Sequence, residues 1–388
     1  MDFSLSDEQQ MLKKSVKDFM KKEYPREAIR ELDEKEEYPF EAIKKWAELG
    51  WLGLPFPEEY GGMGGNAVDL CCFVEELTYW GGLTFFGPYI HSVIFGGMSI
   101  NAYGTEEQKK NFLPGLINGE LIYSLSFTEP NAGSDLANIS TSAVKDGNNY
   151  ILNGAKVFTS GAHVANYLLL GARTDKDAPR HKGISVFMVD TKSPGLEMRK
   201  IKKMGMKSVA TSEIFLEDVK VPEERLLGGP ESLNKGWTNM LRTLTNERCY
   251  VAAAVAGSAQ SVIDDCIEYG KQRVQFGQPI GKFQAVQHTL VDMQIEVETS
   301  RLLAYLAAWR LDQGLPCMKE SSMAKLYASE VFSRVSEKGL LLFGGYGYTM
   351  EYDMQRHFRD AIFYQIGGGV SMTIRNHIAG AMDLYERK

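Results

Sequence analysis

Cysteine is scarce, with five in 388 residues, two of them adjacent at Cys71 and Cys72. None has metal-knuckle spacing, and full pairing would strand one thiol. The expectation is therefore reduced thiols, no disulfides and a reducing compartment, read as cytoplasmic. Histidine numbers only six, none placed four residues from another, so no metal site is expected. A basic surplus is absent too. Lys and Arg total 43 against 50 Asp and Glu, a net charge of -7, which argues against a nucleic-acid partner, since phosphate backbones demand a basic face. No run reaches the roughly 18 apolar residues of a membrane span. Met1 to Gln10 is polar and acidic rather than basic and then apolar, so no leader is expected. Missing as well are a phosphate-cradling loop ending in lysine and serine or threonine, and a strand-borne three-glycine dinucleotide fingerprint. Phe343-Gly344-Gly345-Tyr346-Gly347-Tyr348 lies between helical stretches and taken alone reads as a tight interhelical turn.

What is present suits a large globular chain. Hydrophobic residues make up 44% and charged residues 24%, and the length allows two or three domains of roughly 100–200 residues each. Ser6-Asp7-Glu8-Gln9 has the capping-box pattern, followed by Met11, Leu12, Val16, Phe19 and Met20 at helical spacing. Lys13, Lys14, Lys17, Lys21 and Lys22 read as the solvated side of that helix. Residues 1–120 are expected to form a helical domain, broken by the turn at Gly61, Gly62, Gly64 and Gly65. From 121 to 230 short β-rich runs appear at Tyr150–Leu152, Tyr167–Leu170, Ile184–Val189 and Glu213–Val221. Asp146-Gly147, Asn153-Gly154 and Ser193-Pro194-Gly195 supply hairpin or turn signals, which predicts a small antiparallel sheet or barrel. Over 231–388 the helical period returns, and Phe283, Val286, Leu290, Met293 and Val297 share one apolar face. Long helices of this kind predict a bundle.

Four segments resemble the acyl-CoA dehydrogenase family, in the right order across about 235 residues. They are Phe127-Thr128-Glu129-Pro130-Asn131-Ala132-Gly133-Ser134-Asp135; Lys156-Val157-Phe158-Thr159-Ser160; Arg273 to Ile280 followed by Phe283 to Gln287; and Phe343 to Tyr348 with Glu351-Tyr352 and Arg359-Asp360-Ala361. The resemblance implies an α+β multi-domain chain with an N-terminal helical domain, a middle β-barrel and a C-terminal four-helix bundle. It further implies assembly as a homotetramer, with FAD lying between barrel, bundle and a neighbouring subunit. Leu125, Phe127, Thr128 and Ser134 match positions that contact flavin or thioester. Phe158 would stack beside the isoalloxazine and Ser160 would hydrogen-bond near N5. Arg273 matches the cation that reaches the pyrophosphate, with Gln275, Phe276, Gln284 and Gly345 along the adenosine arm. Without these motifs Phe158 and Phe276 would read as core residues.

Oxidising an acyl thioester needs a positioned base for the α-proton. In most of the family this is a glutamate near the C-terminus, but the corresponding run here is Gln365-Ile366-Gly367-Gly368-Gly369-Val370-Ser371-Met372, with Gly368 at the usual position. Leu341, Val370 and Met372 likewise stand where the family commonly has polar residues. Some members carry the base on the first bundle helix instead, just before an arginine, and Glu247-Arg248 occupies that place. Independently of the resemblance, Met240, Leu244, Glu247, Val251 and Val255 form one helical stripe. A carboxylate on an apolar face needs a reason: an internal ion pair is one, and catalysis with Glu247 as base is the other. Gly368 retains its backbone N–H, the family's donor to the thioester carbonyl, and the three glycines leave room for a branched or cyclic acyl group or let the backbone take positive φ.

The expected activity is thus dehydrogenation of an acyl-CoA, with electrons passed to an electron-transfer flavoprotein. An enoyl-CoA reductase, a carrier-protein-linked dehydrogenase or an elimination enzyme on the same fold is the alternative chemistry, and a catalytically inactive assembly subunit the non-enzymatic one.

Overall fold

The computed structural model describes residues 4–384. Helices α1 (Asp7–Glu23), α2 (Arg26–Glu34), α3 (Phe40–Glu48) and α4 (Ala67–Gly81) come first. The segment Leu83–Tyr103 follows as α5 (Leu83–Tyr89), a π-helical stretch over Ile90–Gly97 and α6 (Met98–Tyr103), and α7 (Glu106–Ile117) closes the helical region. Three of these helices start at capping boxes, with Ser6 and Gln9, Asn66 and Asp69, and Thr105 and Gln108 exchanging side-chain and backbone bonds. Each box satisfies N–H groups that the first turn leaves without partners.

Val16 and Met20 of α1 face the core as their spacing predicts, whereas Met11 is exposed. The lysine side of α1 is not simply solvated. Lys21 lies 4.6 Å from the centre of the Trp80 ring, and Lys13 is 3.4 Å from Glu75, because α1 packs on α4 and its long cations cover that surface. Leu83–Tyr103 is long and apolar enough to cross a membrane, although no such run stood out in the sequence. Its most apolar window is 89% buried inside the fold, as for a core helix that has protein on every side.

Strands β1 (Tyr123–Ser126), β2 (Ser142–Asp146), β3 (Asn149–Ser160), β4 (Tyr167–Arg173), β5 (Ile184–Asp190), β6 (Leu196–Ile201) and β7 (Thr211–Pro222) form one sheet in the order β1-β4-β2-β3-β7-β6, with β5 on β4. The sheet curls. β1 pairs with β4 yet also reaches β3, where the Ser124 hydroxyl donates to the Ser160 carbonyl at 2.6 Å and Ser126 meets Thr159 at 3.0 Å. Two expectations change. The β1–β4 pair is parallel, since the helical region delivers β1 from outside the hairpins. Asn153-Gly154 makes no hairpin but a bulge inside β3, where the register against β7 shifts between Leu152 and Gly154.

The C-terminal region consists of α8 (Gly236–Gln272), the short hairpin β8 (Val274–Gln275) and β9 (Gln278–Pro279), α9 (Gln284–Asp312), α10 (Met318–Phe343), α11 (Met354–Ala361) and α12 (Ser371–Ala381). α8, α9 and α10 pack on one another, α12 lies against α10, and α4 lies against α8. Gly257 permits that last contact, because a Cβ there would sit 2.1 Å from the Glu75 carbonyl oxygen. Across the same seam the Thr78 hydroxyl donates to the Ala254 carbonyl at 2.6 Å. A polar clasp joins all three regions: Arg359 of α11 donates to Asp33 of α2 at 2.6 Å, and Asp360 accepts from the backbone N–H of Met206 at 2.6 Å. All five cysteines are buried and unbridged.

Glu75 is the main buried charge of the α4–α9 seam. It accepts from Arg301 at 2.7 Å and from the Tyr305 hydroxyl at 2.6 Å, and the charges of Lys13 and Arg301 together with these hydrogen bonds hold its carboxyl below the usual range against the pull of burial. Glu75→Ala should therefore destabilise the protein by about 3 kcal/mol, read as a lowered thermal midpoint, since it leaves Arg301 without its buried partner.

Candidate active site

Two buried charges of opposite sign anchor the loop after β1. Glu129 accepts from the backbone N–H groups of Ser140 and Thr141 at 2.6 and 2.9 Å and from Lys156 of β3 at 2.7 Å, and Lys156 also donates to the Phe127 carbonyl at 3.2 Å. The ammonium and the hydrogen bonds hold Glu129 down at about 2 despite burial, while burial lowers Lys156 to about 8. The ion pair fixes the stretch that carries Phe127, Thr128 and Ser134 against the strand that carries Phe158 and Ser160. The Val157 N–H completes the junction by donating to the Thr128 carbonyl at 2.9 Å.

Phe158 sits where the β3–β7 register shifts, with φ of 58° and 65% of its surface exposed. A bulky residue at positive φ is strained, and nothing buried repays that strain. The core reading therefore fails for this ring, and an outward aromatic face on a bulge fits a flat ligand. Leu125 is half-buried on β1, Phe127 is buried, Thr128 is half-buried and Ser134 is exposed. Ser160 is half-buried, its hydroxyl 3.2 Å from that of Thr211.

The second part of the site lies on α8. Met240, Val251 and Val255 of the predicted stripe are buried and Leu244 is half-buried. Phe127 and Met240 meet over Gly171, where a Cβ would lie 3.2 Å from one and 3.5 Å from the other. Glu247 is two helical turns further along, about 10 Å by helix rise. It is 1% exposed, and its Oε1 atom has no hydrogen-bond partner among the described residues. An internal contact ion pair is not what holds it. Burial raises its carboxyl to about 7, opposed by the charges of Arg248 and Lys325. Arg248 points away to Ser322 at 2.8 Å and to Nδ1 of His377 at 3.0 Å.

The glycine run faces this carboxylate. Gly368 has φ of 66°, and a Cβ there would fall 2.8 Å from Glu247 Oε1 and 3.8 Å from Lys325 Cε. A side chain at 368 and the carboxylate of 247 compete for the same space, so glycine here accommodates Glu247. Cβ atoms at Gly367 and Gly369 would meet Phe363 at 2.9 Å and Ile374 at 3.0 Å. Positive φ at Gly368 and Gly369 and close packing at all three positions account for the glycines. The Gly368 N–H has no acceptor among the described residues. Tyr364, just before this turn, is buried with its ring 6.1 Å from that of Phe86 on α5, which brings the turn against Leu83–Tyr103.

The third group is remote. Arg273 ends α8 and so lies about 39 Å from Glu247 along the axis. Arg273, Gln275 and Gly345 line one cleft of about 510 Å³, with the Arg273 guanidinium 5.4 Å from the centre of the Tyr346 ring. Phe276 tips the β8–β9 hairpin at φ of 53° with 94% of its surface exposed, and Gln284 is exposed at the start of α9. Within one chain these residues do not meet the Glu247 centre.

Lys325 escaped sequence reasoning. The available signal was a lysine on the small-residue face Ser321, Ser322, Ala324, Ala328 and Ser329 of α10, all of them buried. Among the described residues no group of three or more His, Cys, Asp or Glu is placed to hold a metal ion.

Comparison with known proteins matches residues 6–120 to the N-terminal domain of acyl-CoA dehydrogenase, 124–219 to its middle domain and 234–382 to its C-terminal domain. The probable acyl-CoA dehydrogenase YngJ of Bacillus subtilis is 41% identical over 380 residues, covering 98% of this chain and 99% of that one. CarC, the caffeyl-CoA reductase-Etf complex subunit of Acetobacterium woodii, is 38% identical over 379 residues, covering 97% and 98%. The solved structure of butyryl-CoA dehydrogenase from Megasphaera elsdenii superposes with a TM-score of 0.92 at 36% identity, covering 98% of this chain and 100% of that one.

A carboxyl whose folded value is raised contributes stability that is present below its unfolded value, about 4.5, and lost as pH rises through about 7. Glu247→Gln should hence raise the thermal midpoint at pH 8 by about 2 °C or more, and the gap from wild type should close below about pH 4.5. Phe158→Gly should relieve about 1 kcal/mol of backbone strain, seen as a higher midpoint of the cofactor-stripped protein.

Proposed function

The chain belongs to the acyl-CoA dehydrogenase family, and on that premise we propose that it oxidises the Cα–Cβ bond of an acyl-CoA thioester with FAD, using Glu247 as the base. The observation that carries this reading is the Glu247 carboxyl: buried, without a partner at Oε1 among the described residues, poised at about 7 and beside Gly368, whose N–H has no acceptor among them. A base with that affinity is half ionised near neutrality, where proton transfer in either direction is efficient.

The fit to FAD rests on Phe158, whose uncovered ring and strained backbone suit a flat partner, on the hydroxyl-bearing loop Thr128–Ser134 beside it, and on the Arg273 cleft for phosphate. FAD, when bound, supplies acceptance of the β-hydrogen with its electron pair. The chain's own residues do the rest. Glu247 takes the α-proton, and the electron pair left on Cα delocalises onto the thioester carbonyl. The Gly368 N–H stabilises that oxygen. Loss of the β-hydrogen then completes the double bond. Arg248 is a positioning charge, since its guanidinium is engaged by Ser322 and His377 and acts on Glu247 through its field.

Distance supports assembly with further copies of the chain. Arg273, Gln275, Phe276, Gln284 and Gly345 lie too far from Glu247 to serve the same FAD within one chain, and a homotetramer would bring them from a neighbour. Exposed Val291, Ile295, Leu302, Leu306 and Trp309 form an apolar stripe along α9, and Leu341 and Met372 are 68% and 70% exposed. Such surfaces suit burial between copies.

A second reading shares the site and reverses the flow, as reduction of an enoyl thioester. The likeness to CarC favours it, and a carboxyl near 7 can return a proton as readily as remove one. In both directions an electron-transfer flavoprotein is the proposed electron partner.

Anaerobic mixing with straight, branched and aromatic acyl-CoAs should bleach the flavin for at least one member, and Glu247→Gln should slow that bleaching by about a hundredfold or more. Wild-type rates in the variant would overturn the assignment of the base.

A further inference from the structure

Lys325 is completely buried on α10, and among the described residues its one hydrogen bond goes to a neutral group, the Gly369 carbonyl, at 2.7 Å. Its Cε atom and Glu247 Oε1 both lie beside Gly368, 3.8 and 2.8 Å from the point where a Cβ would stand. An ammonium buried without a contact carboxylate is costly, so its presence beside a base calls for a role. We propose that Lys325 is a positioning residue for the proposed reaction: it ties down the Gly367–Gly369 turn that presents the Gly368 N–H, and from the same place adds its charge to that of Arg248 in favouring the anionic form of Glu247 that takes the α-proton.

Four groups face or influence Glu247. Arg248 comes from its own helix, Lys325 from α10, the Tyr364 hydroxyl from the turn before Gly368, and His377 from α12 by way of Arg248. Burial keeps Tyr364 protonated and neutral. Arg248 shares its guanidinium with Ser322 and His377. Lys325 makes no such bond to a second side chain, so its charge is the less committed of the two cations. Burial lowers its own affinity to about 8 while Glu247 opposes that fall, as expected when two buried groups of opposite sign sustain each other's charge. A turn-holding role alone would need only a donor, which a neutral amide also provides.

This inference rests on Glu247 being the base. The experiment compares wild type, Lys325→Gln, Lys325→Met and Lys325→Arg as FAD-loaded holoenzymes. The Glu247 carboxyl is titrated by infrared difference spectroscopy against Glu247→Gln, and thermal midpoints are recorded in parallel. Lys325→Gln and Lys325→Met should each shift the Glu247 titration upward by about one pH unit or more. Lys325→Gln should stay near the wild-type melting temperature, and Lys325→Arg should leave the titration in place. If the titration is unmoved in both neutral variants, Lys325 serves the turn alone and the proposal is overturned. Failure of the base assignment reads out separately, as wild-type flavin bleaching in Glu247→Gln.

Discussion

The chemistry proposed for this protein depends on keeping one carboxyl, that of Glu247, away from water while giving its Oε1 atom no hydrogen-bond donor among the described residues. Desolvation favours the neutral acid, and the two nearby cations favour the anion. The balance falls at about 7, within reach of both protonation states under physiological conditions. Had a contact ion pair formed, the group would be a permanent anion and a poor base. The cations therefore act at a remove: Arg248 bonds to Ser322 and His377, and Lys325 to a carbonyl.

That balance imposes itself on the backbone opposite. Because Oε1 stands 2.8 Å from where a Cβ at position 368 would be, a side chain there would require the carboxyl to shift, and the φ of 66° favours glycine for a second reason. A side chain at 368 would thus displace the Glu247 carboxyl from its present place. The turn in turn rests on Tyr364 against Phe86 and on Lys325, so the core of the helical region and the bundle set the distance between carboxyl and N–H donor.

A different logic governs the half of the site on the sheet. The Glu129–Lys156 pair is fully hydrogen-bonded and buried, and acts as a rigid bolt rather than a reactive group. It holds a strained, outward-facing Phe158 in place. One buried ion pair is satisfied and structural, and one buried carboxyl is left unsatisfied, which is what the proposed base requires; the difference lies in the number of donors each receives.

The sequence by itself determined the order of helical, β-rich and helical regions, because period, turn chemistry and capping boxes are local properties. It also determined the candidacy of Glu247, since an acid on an apolar stripe is visible at spacings of three and four. It did not determine the parallel β1–β4 pair, the bulge at Asn153-Gly154 or the role of the glycine run, as each depends on which distant strand or side chain arrives alongside. Only the tertiary structure brought Lys325 beside Gly369 and Glu247 beside Gly368, over sequence separations of 44 residues in the first case and more in the second. Electrostatic environment is a property of neighbours in space, and burial of a charge against another chain segment leaves no periodic trace in the segment that carries it.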